Sequence, residues 1–181
     1  GLSANSRGGE RHTHNAPLRS GKGSIHDGGL RIPFVVRWPG HVPAGGTSGQ
    51  PLQLEDVAPT VCELAGVVAP PMDGTSVASQ WLGGAAEPHP LFFHQPHYWG
   101  STGPGIEPAS AVRLGDWKLV WFYRDERAAL FDLAHDPGET RDLAAARPRQ
   151  VAQLRELLRA QLFASGAQVP TRADGSACAL P

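Results

Sequence analysis

Residues 15 to 40 read NAPLRSGKGSIHDGGLRIPFVVRWPG. The stretch joins two unlike parts. The first is polar and glycine-rich, with Lys22 between Gly21 and Gly23 and a second glycine pair at Gly28 and Gly29. The second, IPFVVRWPG, is a nearly continuous apolar run closed by Pro39 and Gly40. A run of that length, rich in β-branched residues, predicts a buried strand of the kind found in parallel α/β sheets. A long loop feeding such a strand is a common seat of function. Gly21 and Gly23 remove bulk on both sides of Lys22, while Gly28 and Gly29 let the returning backbone pass closely. Lysine is a compact cation with three donors, suited to a phosphate or sulfate oxygen. The spacing G-x-x-x-x-G-K-[ST] of a phosphate-binding P-loop is missing. Read alone, Lys22 also fits an ordinary solvated loop position.

Outward from this stretch, LEDVAPTVCELAG places Leu54, Val57, Val61 and Leu64 at helical spacing, with Asp56 as N-cap, Pro59 in the first turn and Gly66 as the stop. DGTSVASQWLGG repeats the scheme in a shorter helix. The pattern changes near residue 90. PLFFHQPHYW opens a region of strand signals, and in SAVRLGDWKLVWFY the pair Gly115-Asp116 separates two alternating segments as a hairpin turn does. AALFDLAHDPGETRDLA adds a strand ended by an Asp136-Pro137-Gly138 turn. In PRQVAQLRELLRAQLFASG, Val151, Leu154, Leu157, Leu158 and Leu162 form a helical stripe between Pro148 and Gly166. That helix is expected to lie across one face of the antiparallel hairpins. The fold class is therefore α/β passing into α+β.

Composition bounds the rest. The chain has 181 residues, 40% apolar and 18% charged, which fits a globular domain or one large piece of a bigger one. Sixteen basic and seventeen acidic side chains leave a net charge of -1. That balance argues against nucleic acid or a membrane surface as a partner found by bulk electrostatics. No apolar run approaches the roughly 20 residues needed to span a bilayer. The opening GLSANSRGG carries no leader region, which says nothing about residues upstream of it. Cys62 reads as a small buried hydrophobe within a helix, and Cys178 lies in a polar tail; nothing in their spacing requires a disulfide.

Several other side chains are candidates for chemistry. His12 with His14, and His94 with His97, have spacings that metal sites use, but no cysteine or carboxylate cluster joins them. Polar contact with a substrate suits His94 and His97 better than metal binding does, and an ordinary loop role stays open for both. Tyr98 and Trp99 beside them suit the floor of a pocket for a ring-shaped or sugar ligand, or packing on the hairpins. Arg31 is placed to pair with Asp27 across the glycine turn. Asp56 and Asp136 read as structural. No serine sits in a G-x-S-x-G context.

The order of motifs says more than any one of them. NAPLRSGKGSIHDGGLRIPFVVRWPG resembles the type I sulfatases, whose N-x-P-L-R-x-G-K-G-x-x-x-[ED]-G-G-[IL]-R-[IV]-P segment precedes a buried strand and W-P-G. LEDVAPTVCELAG is similar to the family's D-[LV]-x-P-T-[LV]-x-x-L-A-G helix, and DGTS to its D-G-x-S. HQPHYW, AVRLGDWKLVWFY and LFDLAHDPGETRDLA resemble its C-terminal subdomain. The resemblance runs from Gly1 to about Thr171.

It implies the C-terminal part of an alkaline-phosphatase-like sulfatase fold, with a small antiparallel sheet packed against a terminal helix. The implied division is 1–88 as the end of the catalytic α/β domain, 89–171 as the sheet subdomain, and 172–181 as a tail. The implied reaction is hydrolysis of sulfate esters by a formylglycine made from a C-x-P-S-R cysteine or a variant, assisted by Ca2+. Neither CELAG nor CALP is that motif, and the aspartates that bind the metal have no counterpart here. The formylglycine (from a Cys or Ser) and the metal ligands are thus expected outside this chain, and the isolated chain is expected to be inactive. The resemblance gives Lys22 the role of contacting sulfate and nucleophile, and sets the segment from His94 to Ser110 beside the substrate pocket. Expected partners are a sulfated small molecule or glycan, and the expected location is periplasmic or secreted. Two other readings stay open: a phosphodiesterase or phosphonate hydrolase on the same fold, and a non-catalytic glycan-binding module using His94, His97, Tyr98 and Trp99.

Overall fold

Strand alternation between residues 109 and 133 organises the molecule. The computed structural model describes residues 15–85, 87–98, 100 and 102–181. It contains four strands: β1 (Leu91–Gln95), β2 (Ala109–Leu114), β3 (Trp117–Phe122) and β4 (Arg127–Asp132). They form one sheet in the order β1-β2-β3-β4. β2 and β3 pair antiparallel from Ala109↔Phe122 to Leu114↔Trp117, and β3 pairs antiparallel with β4 from Trp117↔Asp132 to Phe122↔Arg127. Gly115, at φ 58°, opens the two-residue turn of the first hairpin, where an L-residue would be strained.

Because the side-chain period is two, each strand serves both faces. Leu119, Trp121, Val112 and Leu130 face helix α4 (Pro148–Ala164), which returns Leu154, Leu158 and Leu162 to them. The stripe and the first-turn proline are those read from the sequence. The helix ends as its glycine requires. Gly166 sits at φ 61°, its N–H bonds to Phe163 O, and the Ala167 N–H bonds to Leu162 O.

The opposite face carries Val120, Phe122 and Phe131 with the small residues Ala109, Ala111 and Ala129. Among the described residues no helix of comparable length covers it; the loop before residue 32 does, through buried Ile25. The three alanines leave room for a backbone segment to lie against the sheet. Within that loop is a single helical turn, α1 (Asp27–Leu30).

By packing, the described residues up to Ile32 together with Phe92–Pro181 make one compact unit and Pro33–Leu91 a second. The loop before residue 32 packs on the sheet through Ile25.

The second unit holds a 3-10 turn (Leu54–Asp56), α2 (Val57–Leu64) and α3 (Ala78–Trp81). α2 ends on Gly66 at φ 66°, as its sequence predicts. Asp56 does not cap α2 with its side chain as expected, because that carboxylate is engaged elsewhere. Its carboxylate is turned away from the first turn of α2 and accepts from the N–H groups of Gln53 (2.7 Å) and Thr75 (2.8 Å) and from His89 Nε2 (3.1 Å). The Thr75 bond pins the DGTS segment to the helix start, where Gly74 is required: a Cβ there would stand 2.0 Å from Glu55 O.

One expectation fails in this unit. Residues 31–38 form no strand, and Phe34, Val35 and Trp38 are exposed, Val35 by 87%. A buried strand needs a hydrogen-bonding neighbour and a covering layer, and the described residues supply neither to it. Cys62 is half-buried rather than sealed in a core, and both cysteines are free thiols.

Candidate functional site

Lys22 stands exposed at the tip of the loop between residues 19 and 26, whose backbone is tied down on every side. The Gly28 N–H donates to Arg19 O (3.0 Å), and the Ser24 N–H donates to Gly21 O (3.0 Å). Ile25 N–H reaches Gly105 O (3.0 Å), Ser24 Oγ reaches Pro104 O (2.8 Å) and Gln95 Nε2 reaches Gly23 O (2.9 Å). Ser20 and Gly23 adopt φ of 66° and 88° to make the tight course. The glycine pair does what the sequence predicts. A Cβ on Gly28 would lie 2.2 Å from Arg19 O, and one on Gly29 would lie 2.2 Å from Ser24 O and 2.6 Å from Gly21 O. Helix turn and loop are therefore in backbone contact, which only glycine permits.

Beneath the loop lies a buried ionic cluster. Lys118 Nζ, fully sealed, bonds Asp27 Oδ1 at 2.7 Å and Glu139 Oε1 at 2.9 Å. His26 Nδ1 lies 2.9 Å from the same Glu139 oxygen, and the Asp27 N–H donates to Glu139 Oε2 at 2.6 Å. Arg113 Nη1 approaches Asp27 Oδ2 at 3.6 Å, and Arg19 Nη1 donates to the Glu139 carbonyl at 2.6 Å. The two carboxylates thus share Lys118, with Arg113 beside Asp27 and His26 beside Glu139, so neither buried acid is left unpaired. Burial pushes the Glu139 carboxyl pKa up, but the His26 hydrogen bond and the charges of Lys118 and His26 outweigh it and bring it from 4.5 to about 2. Asp27 takes Lys118 and Arg113 as partners, not Arg31, whose side chain is exposed. The reason is burial: a carboxylate turned into the sheet meets the cations of the strands beneath it, while Arg31 lies past the end of α1.

The His94 segment is placed by β1. Gln95 abuts Gly23, so the end of β1 reaches the residue after Lys22, and His97 and Tyr98 follow as exposed residues. Trp99 lies outside the described residues, as do His12 and His14. His94 has both ring nitrogens engaged: Nδ1 with Ser110 Oγ at 2.7 Å and Nε2 with Gln168 O at 2.7 Å. A carbonyl only accepts, so Nε2–H is the donor there. In the neutral ring, Nδ1 then accepts from Ser110, whose oxygen is 2.8 Å from the Tyr123 hydroxyl. Burial raises the Tyr123 pKa, keeping it a neutral donor to Ser110. His94 thereby ties the sheet to the segment after α4.

Among the described residues no three His, Cys, Asp or Glu side chains are grouped to hold a metal ion. Calcium asks for six to eight oxygen ligands, so these residues do not fit it, and no step of a reaction is routed through a metal held by them. Reading the sequence missed Lys118, Glu139 and His26. Lys118 had a visible signal: it occupies an inward position of a strand whose neighbours on that face, Val120 and Phe122, are apolar.

Residues 21–168 match the family model described as N-sulphoglucosamine sulphohydrolase, C-terminal. The chain is 34% identical over 152 residues to a sulfatase of Formosa agariphila, covering 76% of this chain and 27% of that protein. It is 32% identical over 177 residues to human arylsulfatase A, covering 82% of this chain and 34% of the relative. Among solved structures, Ps i-CgsB in complex with k-i-k-neocarrahexaose superposes with a TM-score of 0.69 at 26% identity, over 88% of this chain and 34% of that one. The chain thus spans about a third of the length of these relatives. Lys22 and the cluster that anchors its loop fall inside the matched region, and the chain belongs to the sulfatase family, corresponding to the C-terminal portion of its members.

Proposed function

We propose that this chain is the C-terminal part of an enzyme that hydrolyses sulfate esters, and that Lys22 is its contribution to the reacting group. The observation that carries this reading is a solvent-facing lysine at the tip of a loop with every flank fixed, in a chain of sulfatase kind. When a sulfate ester is cleaved, the S–O bond to the alcohol breaks and charge gathers on the oxygens around sulfur. A cation already held in place stabilises that charge without reorganisation. The Lys22 ammonium would donate to the non-bridging oxygens from outside the sheet, while the fixed backbone keeps it from retreating into water. His97 and Tyr98, on the segment that Gln95 brings to Gly23, would border the rest of the substrate.

A formylglycine would supply the nucleophile and a divalent cation such as Ca2+ would assist it, both held by parts of the polypeptide beyond these residues. The exposed apolar residues of the second unit, Phe34, Val35 and Trp38 among them, are then the surface that the rest of the catalytic α/β sheet covers. One relative is an N-acetylgalactosamine-6-sulfatase, and Ps i-CgsB was solved with an oligosaccharide; we assign this protein a sulfated glycan or smaller sulfate ester. No helix among the described residues is long and apolar enough to cross a membrane, and action in the periplasm or outside the cell belongs to the same reading. The test is turnover of an aryl sulfate by the full-length protein beside residues 1–181 alone. Activity is expected in the first and none in the second. Activity in the shorter chain would overturn the division of labour, and a full-length protein that cleaves phosphodiesters but no sulfate ester would overturn the reaction.

A further inference from the structure

The buried cluster is built from stretches far apart in sequence: Asp27 lies 91 residues from Lys118 and 112 from Glu139. We infer that Lys118, Asp27, Glu139 and His26 are positioning residues, which set where Lys22 stands by locking its loop to the sheet. This rests on the reading that Lys22 meets the sulfate group.

The attachment can be followed bond by bond. Lys118 projects from β3 and holds the Asp27 carboxylate and Glu139. Glu139 holds the turn from both sides, taking the Asp27 N–H and His26 on its carboxylate and Arg19 on its carbonyl. Asp27 is followed by Gly28 and Gly29, which lie in backbone contact with residues 19–24. Lys22 is therefore bracketed by Arg19 on one side and His26-Asp27 on the other, both ending on Glu139. Glu139 itself sits at φ 50°, a backbone setting that few non-glycine residues adopt.

Stability alone does not ask for such a cluster. A buried set of charges is often no better than apolar packing of the same volume. What charges and hydrogen bonds add is direction, because each fixes a distance and an angle that apolar contact leaves loose. A cation stabilising a transition state needs that precision: a displacement of about 1 Å can cost roughly a hundredfold in rate.

The test is a double-mutant cycle in the full-length protein, with kcat and KM measured on an aryl sulfate. Lys118→Met alone is expected to lower kcat by about tenfold to a hundredfold, with a smaller change in KM. In a Lys22→Ala background the same substitution is expected to change kcat less than about twofold, because its effect runs through a side chain already gone. A merely structural role would multiply with Lys22→Ala, and that result overturns the inference alone. So does a folded Lys118→Met protein with wild-type kcat. If Lys118→Met does not fold, Asp27→Asn, which keeps the shape and removes the charge, runs the same cycle. A Lys22→Ala protein as active as wild type overturns the sulfate-contact reading and this inference with it.

Discussion

Replacing Glu139 by glutamine isolates the charge at the centre of the buried cluster. The carboxyl drops from an ordinary 4.5 to about 2 in the folded protein. At about 1.4 kcal/mol for each tenfold change in acidity, the ionised form gains roughly 3 kcal/mol from its surroundings. Burial works against it, while His26, Lys118 and the Asp27 N–H work for it. Glutamine keeps the shape and one carbonyl oxygen but offers Lys118 no charge. Glu139→Gln is therefore expected to lose about 3 kcal/mol at pH 7, which for a protein of this size lowers Tm by roughly 6–12 °C. The sign of the pH dependence follows. A depressed pKa contributes stability that is complete above 4.5 and lost as the pH falls toward 2. The gap between wild type and variant should be constant above about pH 5.5 and close on acidification. Urea unfolding followed by tryptophan fluorescence between pH 7 and pH 2.5 measures it. A gap below about 0.5 kcal/mol at neutral pH, or one of constant size at all pH values, would refute the cluster's electrostatic account.

Two further substitutions probe neighbouring parts of the argument. Gly28→Ala forces a methyl against Arg19 O and Ser20 O, at 2.2 and 2.6 Å, and both are backbone atoms; it should cost more than about 2 kcal/mol in urea and lower kcat by shifting the Lys22 loop. Wild-type stability and turnover in that variant would mean the glycine pair is not needed for close approach. Ser110→Ala leaves the buried Tyr123 hydroxyl and His94 Nδ1 without their shared partner, and should cost about 1–3 kcal/mol. The same loss with a fall in KM-dependent specificity would place His94 at the substrate as well as in the scaffold.

Most of the framework was legible in the sequence because it rests on local rules. The Gly115-Asp116 turn, the leucine stripe from Leu154 to Leu162 and the stops at Gly66 and Gly166 all follow from periodicity and backbone sterics. The glycine pair at 28 and 29 was legible for the same reason. The ionic cluster was not. The bonds that bring Asp27 to Lys118 and Glu139 join residues 91 and 112 positions apart, and nothing local tells Asp27 to prefer Lys118 over the nearer Arg31. Glu139 sits in a turn whose sequence, D-P-G-E, gives no hint that the acid is buried. Only Lys118, an inward position within an alternating strand, carried a readable sign. The run at 31–38 misled for the opposite reason: its composition describes a strand, but strand formation is decided by neighbours that the described residues do not provide. The bonds of His94 to Ser110 and Gln168 were not legible because those partners come from other elements.

The central claim is that Lys22 touches the sulfate group, and the most direct measurement is kcat/KM for an aryl sulfate in the full-length protein with and without Lys22→Ala. The account predicts a loss of about a hundredfold to a thousandfold in a protein that still folds. A Lys22→Ala enzyme within twofold of wild type would contradict it.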